Sequence, residues 1–235
     1  MQKTILITGV GKRIGLYLAK AFLVRGHRVI GTYRSHYPSI DALTELGAEL
    51  YPCDFTDQTQ LEALIQTLAQ NYQQLDAVIH NASLWLSDDD TAGIDQVIAQ
   101  MMKVHVYAPY QLNLALAQLL QNPETMTDII HITDYVAQKG SKKHIAYAAS
   151  KAALENMTLS FAAKLAPQVK VNAIAPALIC FNEHDDAAYR EKAKAKSLLA
   201  REGGEVEVLE AIDYLMRSQY VTGRSLALDG GRHLK

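Results

Sequence analysis

Tyr147 and Lys151 stand four residues apart in Ile145-Ala146-Tyr147-Ala148-Ala149-Ser150-Lys151-Ala152-Ala153-Leu154, and their types and spacing suit acid–base work. The alanine-rich run predicts a helix, on which residues at i and i+4 share a face. An ammonium beside a phenol stabilises the phenolate. It should lower the tyrosine pKa from about 10 toward neutrality, making Tyr147 a proton donor and acceptor near physiological pH. A chain with 12 tyrosines also produces Tyr-x-x-x-Lys by accident. Tyr135 and Lys139 are such a case: they follow a strand pattern and precede Gly140, with no helical pattern to hold them together. Helical placement selects Tyr147.

A second cluster suits phosphate. Thr8-Gly9-Val10-Gly11-Lys12-Arg13-Ile14-Gly15 lies between the first strand pattern and a helix expected over Leu16 to Val24. Glycines there let the backbone approach a pyrophosphate, and the helix N-terminus adds free N–H groups and its positive dipole end. A tight strand-to-helix turn would use glycines too, so position carries the dinucleotide reading. After the second strand, Gly31-Thr32-Tyr33-Arg34-Ser35 has no carboxylate before Asp41 to take a ribose diol. Arg34 and Ser35 instead offer a cation and a hydroxyl to a 2′-phosphate, which points to NADPH; the alternative is a solvated surface arginine. Asp54, in Pro52-Cys53-Asp54-Phe55, either accepts from an adenine amino group, with Phe55 beside it on the cofactor side, or caps the helix beginning near Asp57. Asn81 and Ala82 either line the adenosine and ribose or make a plain turn.

These groups need elements to position them. Short β-rich runs at 3–8, 28–33, 48–51, 75–80, 127–133, 169–174 and 225–228 alternate with helical patterns. Such alternation demands crossover connections, hence a doubly wound Rossmann-type α/β fold: about seven mostly parallel strands with helices on both faces. Ligands of such a sheet bind beyond the strand carboxyl ends, where both clusters fall. The 235 residues suit a single domain spanning 1–235. Its one break in rhythm, 178–204, reads as a substrate lid or a solvated helical excursion.

Composition narrows the partners. A net charge of −2 with no long Lys/Arg cluster argues against a nucleic-acid surface. Cys53 and Cys180 have no metal-like spacing, so reduced thiols and no metal are expected. The N-terminus enters a strand pattern without a signal peptide's apolar region, and the apolar stretch at 106–120 is interrupted by Pro109, Gln111, Asn113 and Gln118. The expectation is a cytoplasmic protein with no membrane span and a small-molecule partner.

Taken in chain order, Thr8-Gly9 through Arg13 to Gly15, Asn81-Ala82-Ser83, Tyr147-x-x-x-Lys151, Pro176 after the sixth strand, Val221-Thr222-Gly223 and Asp229-Gly230-Gly231 resemble the short-chain dehydrogenase/reductase family over essentially the whole chain. The resemblance implies that Gly9, Arg13, Ile14, Gly15 and Pro176 border the cofactor. It also implies that Lys151 binds the nicotinamide ribose while tuning Tyr147. Thirteen residues before the tyrosine the family normally has a Ser that donates to a substrate oxygen; here it is Asp134. That departure, Arg13 in place of the loop's middle glycine, and Tyr33-Arg34-Ser35 resemble the pteridine reductase branch. A pterin is flat and nitrogen-rich, so a carboxylate serves it better than a hydroxyl aimed at a ketone.

The branch implies NADPH-dependent reduction of a 7,8-dihydropterin, with weak dihydrofolate turnover as a further expectation. Arg13, Ser83, Asp134 and Tyr147 would contact the substrate, and Trp85 would stack on it, unless Trp85 is a core or interface residue. His105 falls where most members have an Asn that supports a water relay. Its charge would follow pH near neutrality, or it packs as a structural residue. Family members commonly form tetramers, so a homo-oligomer, tetramer or dimer, is expected. The rival enzyme reading is an NADPH-dependent reductase of a carbonyl or 3-oxoacyl thioester. A rival of another class is a noncatalytic NADPH-sensing protein.

Overall fold

The computed structural model describes residues 1–89, 93–122 and 124–235. Seven strands, β1 (Thr4–Ile7), β2 (Arg28–Tyr33), β3 (Glu49–Pro52), β4 (Ala77–His80), β5 (Thr127–Ile132), β6 (Val169–Pro176) and β7 (Ser225–Leu228), form one parallel sheet in the order β3-β2-β1-β4-β5-β6-β7. β5 and β6 are buried along their full length, as expected for central strands covered on both faces. The order reverses at β1, and the crevice beside β4 is where such sheets take ligands.

All seven expected strands form, with shifted ends. β6 runs two residues past the expected 174, because Ala175 and Pro176 still pair with Ala227 and Leu228. A proline can close a strand because its carbonyl still accepts, here from Tyr135 N at 3.0 Å.

Helices cover both faces. On one side α1 (Arg13–Val24), α2 (Pro38–Glu45) and α9 (Glu205–Arg217) bury Leu18, Phe22, Leu43, Val208 and Ile212 against Ile5, Ile7 and Ile174. On the other, α3 (Gln58–Asn71), α5 (Ala108–Ala115) and α7 (Ile145–Leu165) bury Leu61, Leu68, Leu112 and Phe161 against Leu6, Val78 and Ile129. Helix α4 (Ile94–Met102) joins α5 through a wider π-type turn, Lys103–Tyr107. α6 (Val136–Lys139) is a single turn after β5.

α1 begins at Arg13, three residues before the expected Leu16. Arg13 itself has φ +50°, the left-handed backbone that a glycine would adopt without strain. A polar chain threads the second core: His80 Nε2 lies 2.7 Å from Asn113 Oδ1, Asn113 Nδ2 lies 3.1 Å from His131 Nε2, and His131 Nδ1 lies 2.8 Å from Thr158 Oγ1.

The insert at 178–204 carries α8 (Ala187–Lys194) and is stapled at its base. Gly203 N donates to Leu178 O at 3.0 Å, and Gly204 N to Ile179 O at 2.8 Å. Both cysteines are free, and among the described residues no helix is long and apolar enough to cross a membrane.

Candidate active site

The acid–base group is assembled from two elements. Helix α7 supplies Tyr147 and Lys151, both buried, and the turn after β5 supplies Asp134. Asp134 Oδ1 accepts from Val136 N at 2.9 Å and so opens α6, which leaves Oδ2 to accept from the Tyr147 hydroxyl at 2.8 Å. Lys151 Nζ donates to the β5 carbonyl of Ile132 at 2.9 Å and stands 5.7 Å from the Tyr147 ring centre.

The start of α7 is held from a distance. His144 provides no side-chain cap, but Asp88, from the segment after β4, accepts from Ile145 N at 2.6 Å and Ala146 N at 3.2 Å. A carboxylate at a helix N-terminus satisfies its free donors and suits its dipole.

The electrostatics correct the expected tuning. Burial raises the Tyr147 pKa well above 10, and the Asp134 carboxylate adds to the rise. Burial lowers Lys151 to about 8, opposed by Asp134. The ammonium spends its closest hydrogen bond on Ile132 rather than on the phenol, so Tyr147 stays loaded with its proton. Of the two readings of His105, the structure favours the packed one: burial, reinforced by Lys151, holds its pKa well below 6.5, so its charge does not follow pH near neutrality. The ring is edge-on to Tyr147, 5.4 Å between centres.

The glycine loop after β1 has the tight packing that a dinucleotide-binding turn needs. A Cβ on Gly15 would lie 2.1 Å from Gly9 O, and one on Gly9 would lie 2.8 Å from Ala82 Cα. Only glycines let the loop fold this tightly over the end of β4. Thr8 and Asn81 lock it: Thr8 Oγ1 accepts from Asn81 N and Ala82 N, both at 3.0 Å, and Asn81 Nδ2 donates to the carbonyls of Thr8 and Gly9, both at 3.0 Å. Lys12, at the N-cap of α1, offers no side-chain cap, so the first N–H groups of α1 have no side-chain partner there. Such a cradle suits a pyrophosphate.

Lys12 Nζ sits 3.9 Å over the Tyr37 ring, and Ser39 Oγ donates to Gly11 O at 2.6 Å. Lys12, with Ser35, lowers the Tyr37 pKa, and Arg34 adds a smaller lowering, which places two cations and a hydroxyl together beside the loop. Lys12 and Tyr37 escaped the sequence reading, although a lysine beside Arg13 in a glycine-rich turn was the available signal. The Asp88 cap escaped it too, because that contact spans 57 residues.

Other expected residues lie elsewhere. The Phe55 side chain is core, so only its backbone can face a ligand. Asp54 does not cap α3: its Oδ1 accepts from Thr56 N and Oγ1, and Asp57 makes the cap to Thr59 N and Gln60 N. Trp85 is 63% exposed and tilted against His144 with ring centres 4.0 Å apart, which excludes the core reading. Ile14 packs against the first core. Arg13 turns to the insert, its Nε 3.3 Å from Cys180 Sγ and its Nη2 donating to Cys180 O at 3.0 Å. Pro176 closes β6 beside Tyr135.

A glycine cradle at β1, a loaded phenol and buried lysine on α7, and a parallel sheet of this order define a nucleotide-dependent oxidoreductase. The family model described as enoyl-(acyl carrier protein) reductase matches residues 9–233. The chain belongs to the short-chain dehydrogenase/reductase family. It is 54% identical over 232 residues to the dihydromonapterin reductase of Escherichia coli strain 536, covering 98% of this chain and 97% of that one. The dihydromonapterin reductase of Citrobacter koseri is 54% identical over the same shares. Among solved structures, the Brucella canis FolM alternative dihydrofolate reductase 1 complexed with NADP superposes with a TM-score of 0.88 at 25% identity, over 99% of this chain and 94% of that one.

Proposed function

We propose that this chain is an NADPH-dependent dihydromonapterin reductase, converting the 7,8-dihydropterin to its tetrahydro form. The observation that carries it is the Asp134–Tyr147 contact, a carboxylate bonded to the catalytic phenol where a ketone reductase needs a donor to a carbonyl oxygen. Relatedness over nearly the whole chain to dihydromonapterin reductases supports the same substrate class.

NADPH, when bound, supplies the hydride. The glycine cradle and the start of α1 hold its pyrophosphate, and Lys12, Arg34 and Ser35 take its 2′-phosphate. Lys151 binds the nicotinamide ribose from its buried position. Asp134 and Ser83 pair with the pterin edge, Arg13 would leave its Cys180 contacts to reach phosphate and pterin, and Trp85 covers the ring. Tyr147 keeps a proton at the pocket. The insert at 178–204 closes over the substrate as a lid within the single domain spanning 1–235, and the chain works as a cytoplasmic homo-oligomer, tetramer or dimer.

The test is NADPH oxidation across dihydropterins, dihydrofolate, small ketones and a 3-oxoacyl thioester. Dihydromonapterin should lead, with dihydrofolate weaker. Preference for a carbonyl, unchanged in Asp134→Ser, would return the carbonyl reading, and tight NADPH binding without turnover of any substrate would mark a sensor.

A further inference from the structure

His105 lies buried in the turn Lys103–Tyr107, and both its ring nitrogens are occupied. The backbone N–H of Leu84 donates to Nε2 at 3.2 Å. A backbone N–H can only donate, so Nε2 carries the lone pair and the proton of the neutral ring sits on Nδ1. Nδ1–H therefore donates to Ser150 Oγ at 2.8 Å, and Ser150 passes its own hydrogen to the Tyr147 carbonyl at 2.7 Å.

One contact remains. Ser83 Oγ lies 2.9 Å from the same Nε2. Two lone pairs cannot pair with each other, so the Ser83 hydroxyl donates, sharing the single Nε2 lone pair with the longer Leu84 contact, and its only hydrogen is spent there. With its hydrogen on His105, Ser83 turns lone pairs toward the pocket beside the neutral Tyr147 phenol; only by releasing His105 could the hydroxyl donate to the phenol oxygen, the contact that lowers the Tyr147 pKa. Asp134 accepts as well, and the Tyr147 hydrogen is spent on Asp134.

We propose that His105 is a positioning residue that fixes Ser83 as a hydrogen-bond acceptor, so that the pocket selects a ring edge rich in N–H donors over one carrying a carbonyl oxygen. This rests on the pterin reading. Acceptors buried against a ligand without matching donors are left unpaired, and that loss rejects the wrong ring. Both nitrogens being filled, the ring has no lone pair left to hold a relay water.

Two experiments test it. In ¹⁵N-labelled protein, the ring resonances lost on His105→Asn identify His105. They should show hydrogen on Nδ1, a bare Nε2 and no titration near neutral pH. Hydrogen on Nε2, or titration near neutrality, overturns the proposal whatever the substrate. In the NADP⁺ complex, pterin should bind more tightly than lumazine, the analogue with a carbonyl in place of the 2-amino group. His105→Phe, which frees the Ser83 hydrogen, should shrink that preference roughly fivefold, and Ser83→Ala should do the same with His105 intact. An unchanged preference in both variants overturns the proposal. Failure of the pterin reading is separate, because it shows as a wild-type enzyme that reduces no dihydropterin.

Discussion

Raising the pH past 8 should switch this enzyme off through Lys151 before Tyr147 titrates. Desolvation brings the Lys151 pKa down to about 8 from 10.5, while Tyr147 is held well above 10. With a pKa near 8, the charged fraction of Lys151 falls to about one-tenth at pH 9 and about one-hundredth at pH 10. The ammonium donates to Ile132 O at 2.9 Å, and the same cation is the one assigned to the nicotinamide ribose. Its deprotonation removes the charge beside the phenol and leaves only a weaker, neutral amine donor. The assay is the initial rate of NADPH oxidation at low dihydromonapterin, because kcat/KM reports groups of the free enzyme. It should drop tenfold for each pH unit above about 8. Lys151→Arg keeps its charge throughout that range and should lose the alkaline limb, at a lower absolute rate. A wild-type profile flat to pH 10, or a limb that survives in Lys151→Arg, would refute this reasoning.

Tyr147→Phe removes the proton held at the pocket and should reduce turnover at least about 100-fold, with NADPH affinity by fluorescence titration nearly unchanged. Arg34→Ala should cut the preference for NADPH over NADH about tenfold, measured as a ratio of kcat/KM values; an unchanged ratio would leave Lys12 as the main reader of the 2′-phosphate. His80 governs acid stability, because burial lowers its pKa to about 4 from 6.5. The unfolded chain takes the proton first, so this contribution is complete above pH 6.5 and is lost as pH falls toward 4. By pH 5 the loss is about 2 kcal/mol, and His131, also depressed by burial, acts in the same direction. Urea midpoints that do not fall between pH 8 and 5 would contradict it.

Much of this was legible because local pattern and global fold agree. The seven β-rich runs became seven strands, since β-branched residues at central positions have no competing use. Tyr147 and Lys151 were legible because four-residue spacing survives on any straight helix. The direction of their tuning was not. Spacing alone showed neither the depth of burial nor the Ile132 carbonyl that takes the lysine's hydrogen bond. His105 was singled out, but the partners of its ring were hidden for a similar reason, as the π-type turn that aims it leaves no periodic trace in Lys103–Tyr107. The cap alternative for Asp54 failed where two carboxylates three residues apart compete for one cap, and the chain path into α3 gives it to Asp57.

The paired glycines at 203 and 204 bond back to Leu178 and Ile179, so the excursion between them leaves and rejoins the sheet at nearly one point. A loop anchored in that way can be lengthened, trimmed or exchanged at little entropic cost, while β6 and α9 keep their places. Under the lid role proposed for this insert, tail preference among related enzymes could diverge by swapping the cassette alone. The groups proposed to hold cofactor and proton, on β1, β5 and α7, keep their places through such an exchange.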